Sequence, residues 1–287
     1  MPMHPAAPDD LPGLVAAFAQ TAQAMVDLAI TCHEEDFAKP TDCPGWTVKD
    51  QFSHVASTES MLLGRPDPVI DVPDHPHLRH ERARAIEAGV ELRRERPGKE
   101  IAQELHRVIS ARLGRLRDTD LDEETVVESP LGTMPLGALI RRRVADVWVH
   151  EQDIRAALGR PGNLDTPAAA VFCEMALDAL PQIVVDRAGV EPGKVVMIEL
   201  TGPVVARSGV RVEKTEEGDA TGHVMFAGGA DETGPIPVIG RTTSIQLSTD
   251  AFTRRAAGRV AVDDLHFTVL GDDQVARAVL ENLVITP

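Results

Sequence analysis

The sequence predicts a chain that is helical for about its first two thirds and α+β thereafter, and the order reads as two domains, residues 1–190 and 191–287. Three observations predict this. Before about residue 190, apolar residues recur three and four positions apart, the period of one helix face. Beyond Glu191-Pro192-Gly193 the pattern becomes that of strands, with the apolar run Val195-Val196-Met197-Ile198-Glu199-Leu200 and the alternating Gly209-Val210-Arg211-Val212-Glu213. The composition, 43% apolar and 26% charged, is that of a globular chain with a sizeable core. With no Tyr, two Trp and seven Phe, that core must be mainly aliphatic.

Each element has a local reason. Leu11, Leu14, Phe18, Ala22, Met25 and Ala29 keep one face apolar and predict a first helix to about Ile30. Pro44-Gly45 marks a turn, and Thr47 with Asp50 three residues on forms a capping box that starts a second helix near Val48. Its apolar face is Val48, Phe52, Val55 and Leu62, with His54 on the flank. Residues 63–74 are rich in Gly and Pro and read as a loop. Residues 77–95 are dense in Arg and Glu and predict a mostly exposed helix with a solvated charged face. Pro97-Gly98 ends it, and Ile101, Leu105, Val108, Ile109 and Leu113 mark the next helix, with His106 off the stripe.

Residues 118–132 read as an acidic loop. A helix over about 136–157 then ends at Gly159 and Pro161-Gly162. Thr166-Pro167 opens another by N-cap and N1 proline. In the last third, Val224 and Phe226 repeat the strand pattern before Gly228-Gly229. Ile245 and Leu247 mark a further strand, and residues 250–257 a short helix capped by Ser248 or Thr249. Residues 265–269 read as a last strand and 272–283 as a last helix.

The net charge of −16 argues against binding to nucleic-acid phosphates and to anionic membranes, both of which call for surface Lys and Arg. Cys32, Cys43 and Cys173 are odd in number and form no C-x-x-C pair, which disfavours a disulfide framework and a cysteine zinc site. No run of 18 uninterrupted apolar residues occurs, and the first ten residues lack the pattern of a signal peptide. A reducing cytoplasm is the expected location.

The stretch that carries chemistry is Arg143-Val144-Ala145-Asp146-Val147-Trp148-Val149-His150-Glu151-Gln152-Asp153. On a helix, Asp146 and His150 lie on one face a turn apart, with Asp153 one turn further. His54 on the second helix supplies a third donor. Two His and one carboxylate on different helices of a bundle leave an open coordination position, as in catalytic rather than structural metal sites. Zinc or a similar divalent ion fits these donors. The competing reading of Asp146 and His150 is a polar stripe, or a buried His satisfied by a neighbouring Asp. Asp153 is either a group that holds a ligand's second ring nitrogen or a substrate, or a surface carboxylate. Glu151 points about 100° away from His150. Cys43 is either a nucleophile or a small buried hydrophobe. No G-x-S-x-G, P-loop or dinucleotide fingerprint is present.

Two segments resemble a known family. Pro40-Thr41-Asp42-Cys43-Pro44-Gly45-Trp46-Thr47-Val48-Lys49-Asp50, continuing to His54, and Asp146-Val147-Trp148-Val149-His150-Glu151-Gln152-Asp153-Ile154-Arg155 are similar to motifs of the actinobacterial mycothiol-dependent maleylpyruvate isomerase family. More loosely, Leu247-Ser248-Thr249-Asp250-Ala251-Phe252 and Ala256-Ala257-Gly258-Arg259 resemble its C-terminal domain. The resemblance implies a DinB-like up-down helical bundle followed by a small α+β domain of sterol-carrier-like fold. It implies a divalent metal, typically zinc, held by His54, Asp146 and His150, and mycothiol as thiol cosubstrate. A metal-held thiolate would add to an electron-poor double bond, giving isomerisation or, without expulsion, transfer. The resemblance assigns Arg259 the grip on a substrate carboxylate, for which a guanidinium has bidentate geometry; Arg254 and Arg255 are rivals. The family's usual acidic ligand is Glu. Asp146 is one methylene shorter and must approach the metal more closely, ligate through water, or not ligate.

The expected function is a metal- and mycothiol-dependent isomerase or transferase acting on a small electrophile, as a monomer or homodimer. The alternatives are a non-catalytic protein binding a small molecule or lipid, and a metal-dependent hydrolase that uses the open position for water.

Overall fold

The computed structural model describes residues 3–78, 81–117, 122–129, 132–225 and 242–286. The chain forms two compact units, residues 8–162 and residues 1–7 with 163–287. The segment 163–190, placed with the first domain from its helical period, groups by contact with the second unit.

The first unit is built on α1 (Leu11–Thr31), α2 (Val48–Leu62), α4 (Gly98–Leu116) and α5 (Leu136–Leu158), with the shorter α3 (Glu81–Glu91) beside α2. α1 packs on α4 and α5, and α2 on α4 and α5, so the four close a ring around one core. Phe18, Met25, Phe52, Val55, Ile101, Leu105, Ile140, Val144 and Ile154 are essentially inaccessible there. Each such aliphatic or aromatic side chain contributes about 1.5–3 kcal/mol.

The expected caps are present. Thr47 Oγ1 accepts from the Asp50 backbone N–H at 3.3 Å, and Asp50 Oδ2 accepts from the Thr47 N–H at 2.9 Å. Gly159, at φ 63°, ends α5 in the left-handed conformation that glycine adopts without strain.

Two expectations are corrected in this unit. Within the predicted acidic loop, β1 (Val126–Ser129) and β2 (Gly132–Pro135) form an antiparallel hairpin that leads into α5. Its strands are short and half exposed, so they carry little apolar alternation. Residues 118–121, 130 and 131 of that loop lie outside the described residues. The charged run 77–95 folds as the shorter α3 and is not simply a solvated face. Glu87 is fully buried and Arg93 is 3% exposed, because each finds charged partners inside the fold.

In the second unit, β3 (Val195–Thr201), β4 (Ala206–Lys214), β5 (Ala220–Met225), β6 (Thr242–Ser248) and β7 (Phe267–Leu270) form a mixed sheet in the order β5-β4-β3-β6-β7. β3 and β6 are parallel; the other described pairings are antiparallel. The central strand β3 buries four successive residues from Val195, which is why its sequence reads as a continuous apolar run. α6 (Pro167–Asp178) follows the Thr166 cap and packs on α8 (Thr249–Ala256). α7 (Leu180–Gln182), the π turn Ile183–Arg187 and α9 (Asp273–Asn282) complete the unit against the sheet. Ser248 is the cap of α8, its Oγ accepting from the Ala251 N–H at 3.1 Å. Of the expected strand, Val224 lies in β5, and Phe226, Gly228 and Gly229 lie outside the described residues. The predicted order, helices and then a mixed α+β region, is the observed one.

By length and hydropathy, Leu11–Thr31 and Pro167–Arg187 would suffice to cross a membrane. Their apolar residues include Phe18, Met25, Val171 and Phe172, all buried within their own units.

Candidate metal centre

α2 and α5 face each other, and the donors predicted from sequence meet between them. His54 Nε2 lies 3.3 Å from Asp146 Oδ2, and His150 Nε2 lies 3.8 Å from Asp146 Oδ1. The two imidazole rings are 4.8 Å apart, edge to face. One donor atom from each of the three residues falls within 4.8 Å of the others. A tetrahedral zinc with bonds of 2.0–2.1 Å would separate its donors by roughly 3.3–3.4 Å, close to the 3.3 Å and 3.8 Å found here. The flank position of His54 is buried because α5 covers it. The His54 and His150 side chains are 6% and 9% exposed, whereas that of Asp146 is 35% exposed. The site therefore opens on the Asp146 side.

The electrostatics suit cation binding. Burial acts to raise the Asp146 pKa, but Arg143, His54 and His150 outweigh it and hold the carboxyl well below the usual range. Burial pushes the His54 pKa down against the pull of Asp146, which favours the neutral imidazole that a metal requires. His150 Nδ1 is buried without a hydrogen-bond partner and lies 3.6 Å from Asp153 Oδ2. Asp153 is itself 4% exposed and accepts from Gln51 Nε2 at 3.3 Å. A proton on Nδ1 facing that carboxylate leaves the Nε2 lone pair directed at the site.

Several residues of the site were not anticipated. Trp46, read as the end of a turn within the first motif and given no role at the site, lies against both histidines, with ring centroids 5.1 Å from His54 and 5.6 Å from His150. Its indole N–H donates to Glu87 Oε2 at 2.8 Å. Gly45 before it has φ 79°, and a Cβ there would run into the His77 ring, so the Pro-Gly pair is what allows the turn. Behind Asp146, Arg143 Nη1 donates to Oδ2 at 2.8 Å and Arg143 Nε donates to Glu59 Oε1 at 2.7 Å. Arg112 Nε donates to the other oxygen of Glu59 at 3.0 Å. Arg143 was legible in principle, three residues before Asp146 on the same face. Glu59 looked like any polar residue of a helix.

A second cluster brings His75, Glu87 and Glu91 within similar reach. There the carboxylates already have partners. Glu87 accepts from Trp46 and pairs with His77 and Arg94, and Glu91 Oε2 lies 2.7 Å from Arg94 Nε. It is an ion-pair cluster that braces the loop behind Trp46.

Glu151 points away from the centre, accepting from Thr21 Oγ1 and Arg155 Nε at 2.7 Å each. Trp148 is core, 1% exposed. The cysteines form no disulfide, and burial raises the thiol pKa of Cys32 and pushes that of Cys173 up to about 12. In the second unit, Arg259 is half-buried and its Nη1 donates to the Ala257 carbonyl at 2.8 Å. Its rival Arg255 is a structural clamp, donating to the carbonyls of Leu280, Val260 and Glu281.

Residues 18–155 match the family model described as the mycothiol maleylpyruvate isomerase N-terminal domain. That span contains both motifs and all three candidate ligands. The helical unit is similar to that domain. Two crystal structures of the mycothiol-dependent maleylpyruvate isomerase, one of them a histidine-to-alanine mutant, share this fold. They are 17% and 16% identical in sequence, with TM-scores of 0.52 and 0.53, and in each case 90% of this chain and 92% of the other are covered. No curated protein matches the sequence. Asp146, one methylene shorter than a Glu, lies 3.3 Å and 3.8 Å from the nearest ring nitrogens of the two histidines.

Proposed function

We propose that this protein is a divalent-metal enzyme that uses mycothiol as cosubstrate to isomerise or conjugate a small electrophile in the cytoplasm. The observation that supports this most is the convergence of His54, Asp146 and His150 from two facing helices, within the residues that match the mycothiol maleylpyruvate isomerase N-terminal domain. His54 and His150 would hold the cation, zinc for preference, through Nε2, and Asp146 through a carboxylate oxygen. When bound, the cation supplies the charge that keeps a thiol, ordinarily of pKa about 8.5, deprotonated at neutral pH.

The chain's own residues have separate tasks. Asp153, 3.6 Å from His150 Nδ1, is placed to orient that ring once a small rotation brings the two into a hydrogen bond. Trp46 covers the two imidazoles and keeps water from that side. The more exposed Asp146 side is the approach for ligands. Arg259 is assigned the grip on a substrate carboxylate on the strength of its motif. Isomerisation and conjugation differ only in whether the thiol is expelled or retained.

The test is direct. Metal content is measured on the isolated protein, which is then supplied with zinc, mycothiol and maleylpyruvate. Consumption of maleylpyruvate that requires both metal and thiol, and is lost in His54→Ala and His150→Ala, is the expected result. Turnover that ignores mycothiol would favour a hydrolase. Failure of the wild-type protein to take up any divalent metal would overturn the proposal and leave a binding protein as the better reading.

A further inference from the structure

Asp146 is not a carboxylate free to turn. Its Oδ2 receives Arg143 Nη1 at 2.8 Å and lies 3.3 Å from His54 Nε2, while Oδ1 faces His150 Nε2 at 3.8 Å. Arg143 is 2% exposed and is fixed in turn, since its Nε donates to Glu59, a residue with no accessible surface. Glu59 spends its second oxygen on Arg112 of α4. The chain Arg112–Glu59–Arg143–Asp146 thus links three helices behind the centre. Surface ion pairs exchange partners easily, but Arg112, Glu59 and Arg143 are enclosed, and only the Asp146 end, 35% exposed, reaches solvent.

We propose that Arg143 is the positioning residue that limits Asp146 to a single oxygen toward the cation, and that Glu59 and Arg112 hold it to that task. A carboxylate that swings to offer both oxygens occupies two coordination positions. With Oδ2 committed to a guanidinium, one position stays open for the incoming ligand, the feature that separates catalytic from structural sites. The short reach of Asp makes this control tighter than it would be for Glu, whose extra methylene allows the carboxylate to rotate away from an arginine on the same helix.

The inference rests on the metal-centre reading, and its test separates the two. Wild-type protein and Arg143→Gln are loaded with cobalt(II). Visible absorption and X-ray absorption then report how many oxygens the carboxylate contributes. Melting of the metal-free proteins verifies that the variant is folded. A strong tetrahedral cobalt spectrum in the wild type, replaced in the variant by a weaker one with an added carboxylate oxygen, is the expected result. Where Arg143→Gln alone does not fold, Arg143→Lys, which keeps a cation beside Glu59 but lacks the fork that also reaches Asp146, carries the same measurement. Identical spectra in wild type and folded variant overturn the role of Arg143 while leaving the metal centre standing. No cobalt uptake by the wild type overturns both.

Discussion

His150 Nδ1 and Asp153 Oδ2 face each other at 3.6 Å, both inside the first unit, one turn apart on α5. The distance is just too long for a hydrogen bond, and a small rotation of either side chain would make one. Cation binding at Nε2 should draw the ring into that bond. Outer partners of this kind typically affect metal affinity 10- to 100-fold. Asp153→Asn, nearly isosteric and a weaker acceptor, should weaken zinc binding by about tenfold. Competition with a chromophoric chelator measures it, and an unchanged affinity would assign Asp153 a purely structural role.

Trp46 gives the site an intrinsic reporter. Its ring lies within 5.6 Å of both imidazole centroids, and the other tryptophan, Trp148, is sealed in the core. Cobalt(II) or copper(II) at the centre should quench tryptophan emission, and Trp46→Phe should remove the greater part of that response. A quench of the same amplitude in the variant would place the cation elsewhere.

Acid stability should depend on Arg93. This residue pairs with Asp67 at 2.7 Å and with Glu104 at 2.6 Å. Burial acts to raise the pKa of both carboxyls, but the hydrogen bonds from Arg93 outweigh it, so both lie below their ordinary values. A carboxyl whose folded pKa is depressed stabilises the fold fully above its unfolded pKa, about 4, and that contribution is lost as pH falls through the folded value. Wild-type stability should therefore decline below about pH 4. Arg93→Gln should be less stable at neutral pH by roughly 2–3 kcal/mol and lose less on acidification. Urea unfolding between neutral and acid pH tests this, and parallel pH profiles for the two proteins would refute it.

Much of the fold was legible along the chain because its causes are local. The Thr47–Asp50 capping box, the Pro167 start of α6, the Gly159 stop of α5 and the change from helical to strand period near residue 191 all act over a few residues. The hairpin of β1 and β2 was missed because short, half-exposed strands bury too little to show a period. The grouping of 163–190 by contact with the second unit is not legible along the chain, because a helix's own pattern shows that one face is buried but not which sheet or bundle buries it.

The same division runs through the candidate site. By itself the sequence determined that Asp146 and His150 share a helical face, because a helix turn is a local geometry that four residues specify. It also marked His54 as the flank of a capped helix. Only the tertiary structure decided that His54 Nε2 comes within 3.3 Å of Asp146, that Trp46 closes over both imidazoles, and that Glu59 grips Arg143. Those pairs lie far apart in sequence and meet because α2 and α5 bury their apolar stripes against a common core. That burial, not any local pattern, sets which polar groups are enclosed together and must satisfy one another.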